Sequence, residues 1–206
     1  MASCIFNRLA RRENILTDKV KAQVIKYSDE LSVSLYVERL ESKFKVSDIE
    51  FSQRNKKNCE ACKRYGVNLA CPPYSPYFPE YIKDSVTPRV ICYRTPLEQF
   101  KSVIIEDSYH AAFKKVSSLL SEELLACRKA GDIIAGSGAC PSCNPCAIEL
   151  GETKCRTPAR QIFSLESLGV NVVSLSEKAF GIKLEWSSEG HTASYVSALG
   201  AAFLQK

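Results

Sequence analysis

Cys140-Pro141-Ser142-Cys143-Asn144-Pro145-Cys146, followed after eight intervening residues by Cys155, is the stretch around which the rest of the chain has to be arranged. A pair of cysteines two residues apart brings two sulfurs to one ion or to neighbouring irons of one cluster. Zinc sites take two such pairs and close a tetrahedron. Three cysteines in a C-x2-C-x2-C run instead wrap one face of a cube-like cluster and supply three irons from one continuous loop, as in bacterial ferredoxins. The fourth cysteine comes here after eight residues, where a ferredoxin has three and a proline. Cys140, Cys143, Cys146 and Cys155 therefore make a complete set for a [4Fe–4S] cluster, with zinc as the alternative.

Upstream the pattern has an echo. Cys59, Cys62 and Cys71 repeat the spacing of Cys143, Cys146 and Cys155, each displaced by the same 84 residues. This site has three cysteines of its own, and three readings stand side by side. Its fourth ligand comes from elsewhere, with Cys92 and Cys4 as candidates and His110 or His191 as outsiders. Alternatively, ligands cross over between the two motifs, as they do in two-cluster ferredoxins. Or one iron is left open for substrate, water or a partner's residue. Cys92 and Cys127 fall on apolar patterns and read as core thiols.

The chain has 206 residues, 45% hydrophobic and 25% charged, which suits a soluble protein able to build a core without cross-links. Ten cysteines are the anomaly. The N-terminus carries no signal-peptide pattern, and no run approaches the roughly 20 apolar residues that cross a bilayer. The thiols are thus expected in a reducing cytoplasm, where closely spaced cysteines mean metal rather than cystine. The net charge of +5 is mild. Arg54, Lys56, Lys57, Lys63 and Arg64 crowd the first motif and read as a solvated rim offsetting an anionic site. A docking patch for an acidic partner or for nucleic acid is the sharper alternative, and the rim is preferred because no aromatic interleaving or nucleic-acid-binding signature accompanies the patch.

Residues 1–44 read as an N-terminal extension, basic at Arg8, Arg11 and Arg12 and helical over 32–44. Residues 45–206 read as one metal-binding domain built on two related halves. Within it, the apolar patterns predict strands over 45–51, 86–93, 132–136, 170–175 and 182–186, and over the tail from Thr192 to Leu204. The clearest helix opens at Asp107 or Ser108 and runs along Phe113, Val116, Leu120, Leu124 and Cys127 towards Gly131. Further helical segments are expected at 79–83, from Pro158 to Gly169 and at 176–180. Pro72, Pro73, Pro76 and Pro79 make a stiff loop behind Cys71, packed by Tyr65, Tyr74, Tyr77 and Tyr81. Gly136-Ser137-Gly138-Ala139 lacks the P-loop lysine and the GxGxxG pattern, so it reads as a loop letting backbone amides approach metal-bound sulfur. The sum is an α+β fold, or a two-layer α/β sandwich, with a mixed sheet and two cysteine-rich metal-binding loops.

Cys59-x2-Cys62-x2-Tyr65-Gly66-x-Asn68-x2-Cys71-Pro72-Pro73-Tyr74-Ser75-Pro76, the Cys140 run and Cys155-Arg156-x-Pro158 together resemble the family of predicted metal-binding proteins catalogued as domain of unknown function 2284, found mainly in anaerobic bacteria and archaea. The likeness runs from about Lys45 to the C-terminus, is most specific at Cys71–Pro76, and includes Ser164-Leu-Glu-Ser-Leu-Gly-Val-Asn-Val172. It implies that all seven cysteines bind metal, as iron–sulfur clusters. It supplies no reaction.

The expected function is that of a cytoplasmic protein holding one or two [4Fe–4S] clusters. It would pass electrons to a redox partner protein or mature a client metalloenzyme of anaerobic metabolism, with homo-oligomers compatible and no membrane involved. An enzyme binding substrate at an open iron on Cys59, Cys62 and Cys71 is the second expectation. A zinc-stabilised module for nucleic acid or protein is the third. No radical-SAM motif, zinc-deaminase motif or Cys–His nucleophile pair is evident.

Overall fold

The computed structural model describes residues 35–83, 86–101, 108–187 and 192–205. Along the chain run β1 (Glu38–Lys43), α1 (Gln53–Lys57), α2 (Phe78–Tyr81), β2 (Val86–Pro96), α3 (Glu98–Lys101), α4 (Ser108–Cys127), β3 (Ile133–Gly136), β4 (Phe163–Ser164), α5 (Val172–Phe180) and β5 (Tyr195–Gln205), joined in places by 3₁₀ turns. The strands form one sheet in the order β1-β2-β5-β3-β4. Only the β3–β4 pair is parallel; β1–β2, β2–β5 and β3–β5 are antiparallel. The fold is α+β with a mixed sheet, as the sequence predicts.

Both faces of the sheet are covered, and the alternation along β2 and β5 says which residues go where. Val90, Cys92, Leu199, Ala201 and Phe203 face one core, shared with α2, α5 and the loops between them. Ile91, Tyr93, Ala198 and Ala202 face the other, under α3 and α4. On α4 the buried positions Ala112, Val116, Leu120 and Leu124 follow at steps of four, one face of a helix. Burying each of its valine and leucine side chains contributes about 1.5–3 kcal/mol. Gly200 is what lets α4 close down on β5. A Cβ there would meet Ala135 O at 2.8 Å and Leu120 Cδ2 at 3.0 Å. Cys92 is a core thiol as expected, whereas Cys127 sits half-buried at the last residue of α4.

Five local expectations fail, four of them for a visible reason. The helix predicted over 32–44 is the edge strand β1 across Glu38–Lys43. Its charged residues, good helix formers, act as cross-strand partners: Glu38 pairs with Arg94 at 2.6 Å and Glu41 with Arg89 at 2.7 Å, while Arg39 reaches Glu123 of α4. The 45–51 strand shrinks to a 3₁₀ turn, Val46–Asp48, and one bridge from Phe51 to Val170. The helix from Pro158 lasts only through the 3₁₀ turn Pro158–Arg160, because the chain is then drawn out to pair Phe163–Ser164 with β3. The strand over 170–175 is instead the start of α5. Asn171 accepts the Ser174 N–H as an N-cap, and Val172, Leu175, Ser176 and Ala179 are buried at helical spacing. Ile182–Trp186 carries no strand, although Leu184 is buried.

The arginines at 8, 11 and 12, Cys4, Asp107 and His191 lie outside the described residues. Among the described residues no helix is long and apolar enough to cross a membrane.

Candidate metal centre

The downstream loop leaves β3 at Gly136 and is stitched to the segment that follows it. Ser142 Oγ donates to Arg160 O at 2.5 Å, and Arg156 Nη2 to Pro145 O at 2.7 Å. The Cys146 amide donates to Glu149 Oε1 at 2.8 Å, opening the 3₁₀ turn Ala147–Leu150. Gly151, at φ 80°, ends that turn in the left-handed region. Cys146 is buried; Cys140, Cys143 and Cys155 are part-exposed.

The upstream loop is built differently. Ser52 caps α1 by accepting the Asn55 N–H at 3.1 Å, and a 3₁₀ turn, Asn58–Ala61, carries Cys59. Tight turns then follow one another: Cys62 N–H to Cys59 O, Tyr65 N–H to Cys62 O, and Cys71 N–H to Asn68 O, all within 3.0 Å. The proline loop is anchored rather than merely stiff. Lys56 Nζ donates to the carbonyls of Ser75 and Pro76, and Ser75 Oγ donates to Ser167 O at 2.8 Å. Each cysteine loop contains one cis proline bond, Pro72–Pro73 and Asn144–Pro145.

The two loops meet. The Leu69 amide, two residues before Cys71, points at Cys146 Sγ of the other loop at 3.5 Å, and Gln161 Nε2 donates to Leu69 O at 3.2 Å. Leu69, Cys146 and Ala147 form a small apolar cluster against which Ile148 and Cys155 pack. A second amide, that of Ile162, points at Cys140 Sγ at 3.5 Å. These donors stand where the sequence reading placed the Gly136–Ala139 loop. That loop instead presses Gly138, at φ 74°, against the Phe113 ring, where a Cβ would come within 3.1 Å.

The seven cysteines of the two motifs are free thiols, with no disulfide among them. Burial pushes the Cys59 thiol up to about 11, with Glu166 and then Cys62 adding to it. Burial pushes Cys71 up to about 12, reinforced by Cys62, Cys59 and, more weakly, Cys140. The same acids that repel one another as thiolates become good ligands once a cation stands among them. Soft sulfur donors with amide N–H groups aimed at two of them are a fitting donor set for zinc or for iron–sulfur metal, so the residues suit the group. Among the described residues no three His, Cys, Asp or Glu side chains gather closely enough to hold a single metal ion. A four-iron cluster takes one ligand per iron and does not require that gathering.

Beside the upstream thiols opens a cavity of about 440 Å3. Cys59, Cys62 and Cys71 line one part of it, and Phe113, Leu184 and Trp186 another. Glu166 also lines it. Part of that residue remains accessible, yet its Oε2 is shut off from solvent and has no hydrogen-bond partner, and burial raises the carboxyl above its ordinary range. Cys92 and His110, weighed from sequence as outside ligands, stand apart from this lining: Cys92 is in the sheet core, and exposed His110 lies edge-on to Tyr109. Of the four tyrosines, Tyr65 borders the cavity, Tyr77 and Tyr81 pack on Phe51 and Phe163, and Tyr74 is exposed. Sequence reasoning missed Leu69, Gln161, Ile162 and Glu166. A backbone amide leaves no mark in a sequence, and a lone glutamate between a leucine and a serine is ordinary.

No curated protein and no solved structure matches the chain. A family model described as "Predicted metal-binding protein (DUF2284)" matches residues 42–200, which span both cysteine loops and three complete strands of the sheet. The chain belongs to that family of predicted metal-binding proteins.

Proposed function

We propose that the chain is an iron–sulfur protein of the reducing cytoplasm, serving a redox partner or a client metalloenzyme of anaerobic metabolism. Cys140, Cys143, Cys146 and Cys155 would hold a complete [4Fe–4S] cluster, and Cys59, Cys62 and Cys71 three irons of a second. When bound, such clusters supply one-electron transfer. The observation that supports this proposal is the pair of amides, those of Leu69 and Ile162, aimed at Cys146 and Cys140 among seven thiols free of disulfides. Amide donors to cluster sulfur favour the reduced, more negative state and so tune a redox site. Exposed Tyr65 and Tyr74, beside exposed Lys63 and Arg64, give the upstream loop a face suited to an acidic partner. Anaerobic reconstitution followed by reduction should give two electron-spin signals in the wild type and one after Cys62→Ala. A protein that takes up only zinc and stays colourless would contradict this function.

The cavity favours a second reading, an enzyme acting at the three-thiol site. The Phe113, Leu184 and Trp186 wall would hold an apolar part of a substrate beside the metal, and the loop thiols would keep that metal in place. A small ligand added to the reduced protein should then alter the signal that depends on Cys59, Cys62 and Cys71, and only that one.

A further inference from the structure

Three thiols are one ligand short of a closed site, and the structure brings a fourth acid to the same space. Glu166 opens the 3₁₀ turn Glu166–Leu168 and lines the cavity together with Cys59, Cys62 and Cys71. Its Oε2 is buried and unpartnered. A carboxylate oxygen removed from water with nothing to bond is strongly unfavourable unless a cation or donor belongs there. Lys56, whose side chain lies along the same loop, is engaged by the carbonyls of Ser75 and Pro76. The turn carrying Glu166 is held against the upstream loop: Ser75 Oγ donates to Ser167 O at 2.8 Å, and the Ser52 amide to Gly169 O at 2.9 Å. Four acids thus share one pocket with an orphaned oxygen among them.

We infer that Glu166 is the fourth ligand of the Cys59–Cys62–Cys71 site, its Oε2 taking the metal position that this loop's own cysteines leave unfilled. The assignment rests on the proposed function, in which those thiols hold an iron–sulfur cluster with one ligand per iron. Cys140 is the competitor, since it also acts on Cys71. It is absent from the cavity lining, however, and completes the four-cysteine set of the downstream loop. A carboxylate is a harder ligand than thiolate and suits soft-metal sites less well. The position held by Glu166 is therefore the one from which metal exchanges first, and it lies on the cavity where a small molecule would arrive.

Full-length wild type, Glu166→Gln, Glu166→Cys, Cys62→Ala and Cys140→Ala are prepared without oxygen, and iron, zinc and sulfide are counted per chain. Transfer of metal to a colorimetric chelator is then followed in time, the phase missing from Cys62→Ala marking the upstream site. Glu166→Gln should release metal in that phase at least tenfold faster than wild type, or fail to retain it. Glu166→Cys, which offers a thiolate in the same place, should release it at least threefold more slowly, a rescue that a merely structural role would not produce. Cys140→Ala should lose metal from the other loop. Glutamine keeps the size of the side chain, and circular dichroism of the metal-free proteins separates misfolding from ligand loss. Equal release by wild type, Glu166→Gln and Glu166→Cys would overturn the assignment. So would loss of the upstream phase in Cys140→Ala with Glu166→Gln unaffected. Zinc without sulfide would overturn the iron–sulfur reading and the assignment with it, whereas iron and sulfide with equal release from all three proteins would overturn the assignment alone.

Discussion

The two cysteine loops share a spacing and differ in almost everything around it. The downstream loop has four cysteines, buries Cys146, receives an amide on Cys146 and another on Cys140, and is tied down by Ser142, Glu149 and Arg156. The upstream loop has three, leaves Cys62 exposed, and borders a cavity with a buried carboxylate. The contrast teaches that C-x2-C-x8-C specifies the turns that gather sulfur and leaves open what the gathered sulfur faces. A packed, fully ligated site suits holding and passing electrons; one beside a cavity suits exchange.

The largest expected difference comes from removing one thiol on each side. Cys146→Ser takes away a ligand, the acceptor of the Leu69 amide and a member of the cluster joining the loops. It should abolish metal at the downstream site and destabilise the protein by several kcal/mol, because metal binding is folding free energy. Cys62→Ser should empty the upstream site and leave the melting temperature within a few degrees. Equal losses of stability in the two variants would erase the contrast.

Gly169 sharpens it from the scaffold side. At φ 92°, and with Ser52 O only 2.8 Å from where a Cβ would stand, it joins the upstream loop to the turn bearing Glu166. Gly169→Ala should destabilise by about 2 kcal/mol, the order expected for a strained left-handed residue with a backbone clash. Metal analysis of the folded variant should find the upstream site depleted and the downstream site intact.

Gln161 links the loops through Leu69 O. Gln161→Leu should lose about 1 kcal/mol, the net worth of one hydrogen bond, and speed metal release from both sites by similar factors. An effect on one site alone would show that the loops are not mechanically joined.

The smallest effect is one of pH in the metal-free protein. Cys59 and Cys71 titrate at about 11 and about 12 in the fold, above the ordinary 9.0. The folded state therefore holds its protons longer, and the stability this supplies is complete below pH 9 and lost as pH rises through 9 to 12. Alkylation at pH 8 should accordingly reach exposed Cys62 first and Cys59 and Cys71 last.

Much of this was legible in the sequence where one pattern had one physical meaning. The stripe Val116, Leu120, Leu124 fits only a helix against a core, and the uninterrupted run at Val90–Tyr93 fits a strand buried on both faces. Phe113, expected on that stripe, turns out to border the cavity beside Gly138. The failures lie where long-range partners overrode local propensity. Glu38-Arg39-Leu40-Glu41 favours helix in isolation and becomes a strand because its charges find Arg94, Arg89 and Glu123 across space. Val170–Val173 favours strand in isolation and enters a helix because Asn171 caps it. At the site, the seven cysteines could be named from spacing. Glu166 and the amides of Leu69 and Ile162 could not, since their importance exists only once β3, β4 and the two loops are side by side.

The central claim is that the seven thiols of two look-alike loops hold iron–sulfur clusters. Iron, zinc and acid-labile sulfide, counted per chain in protein purified throughout without oxygen, test it most directly. The account predicts iron and sulfide in equal amounts, about four of each for every filled site. Chains carrying zinc without sulfide, or carrying no metal with the thiols recovered as disulfides, would contradict it.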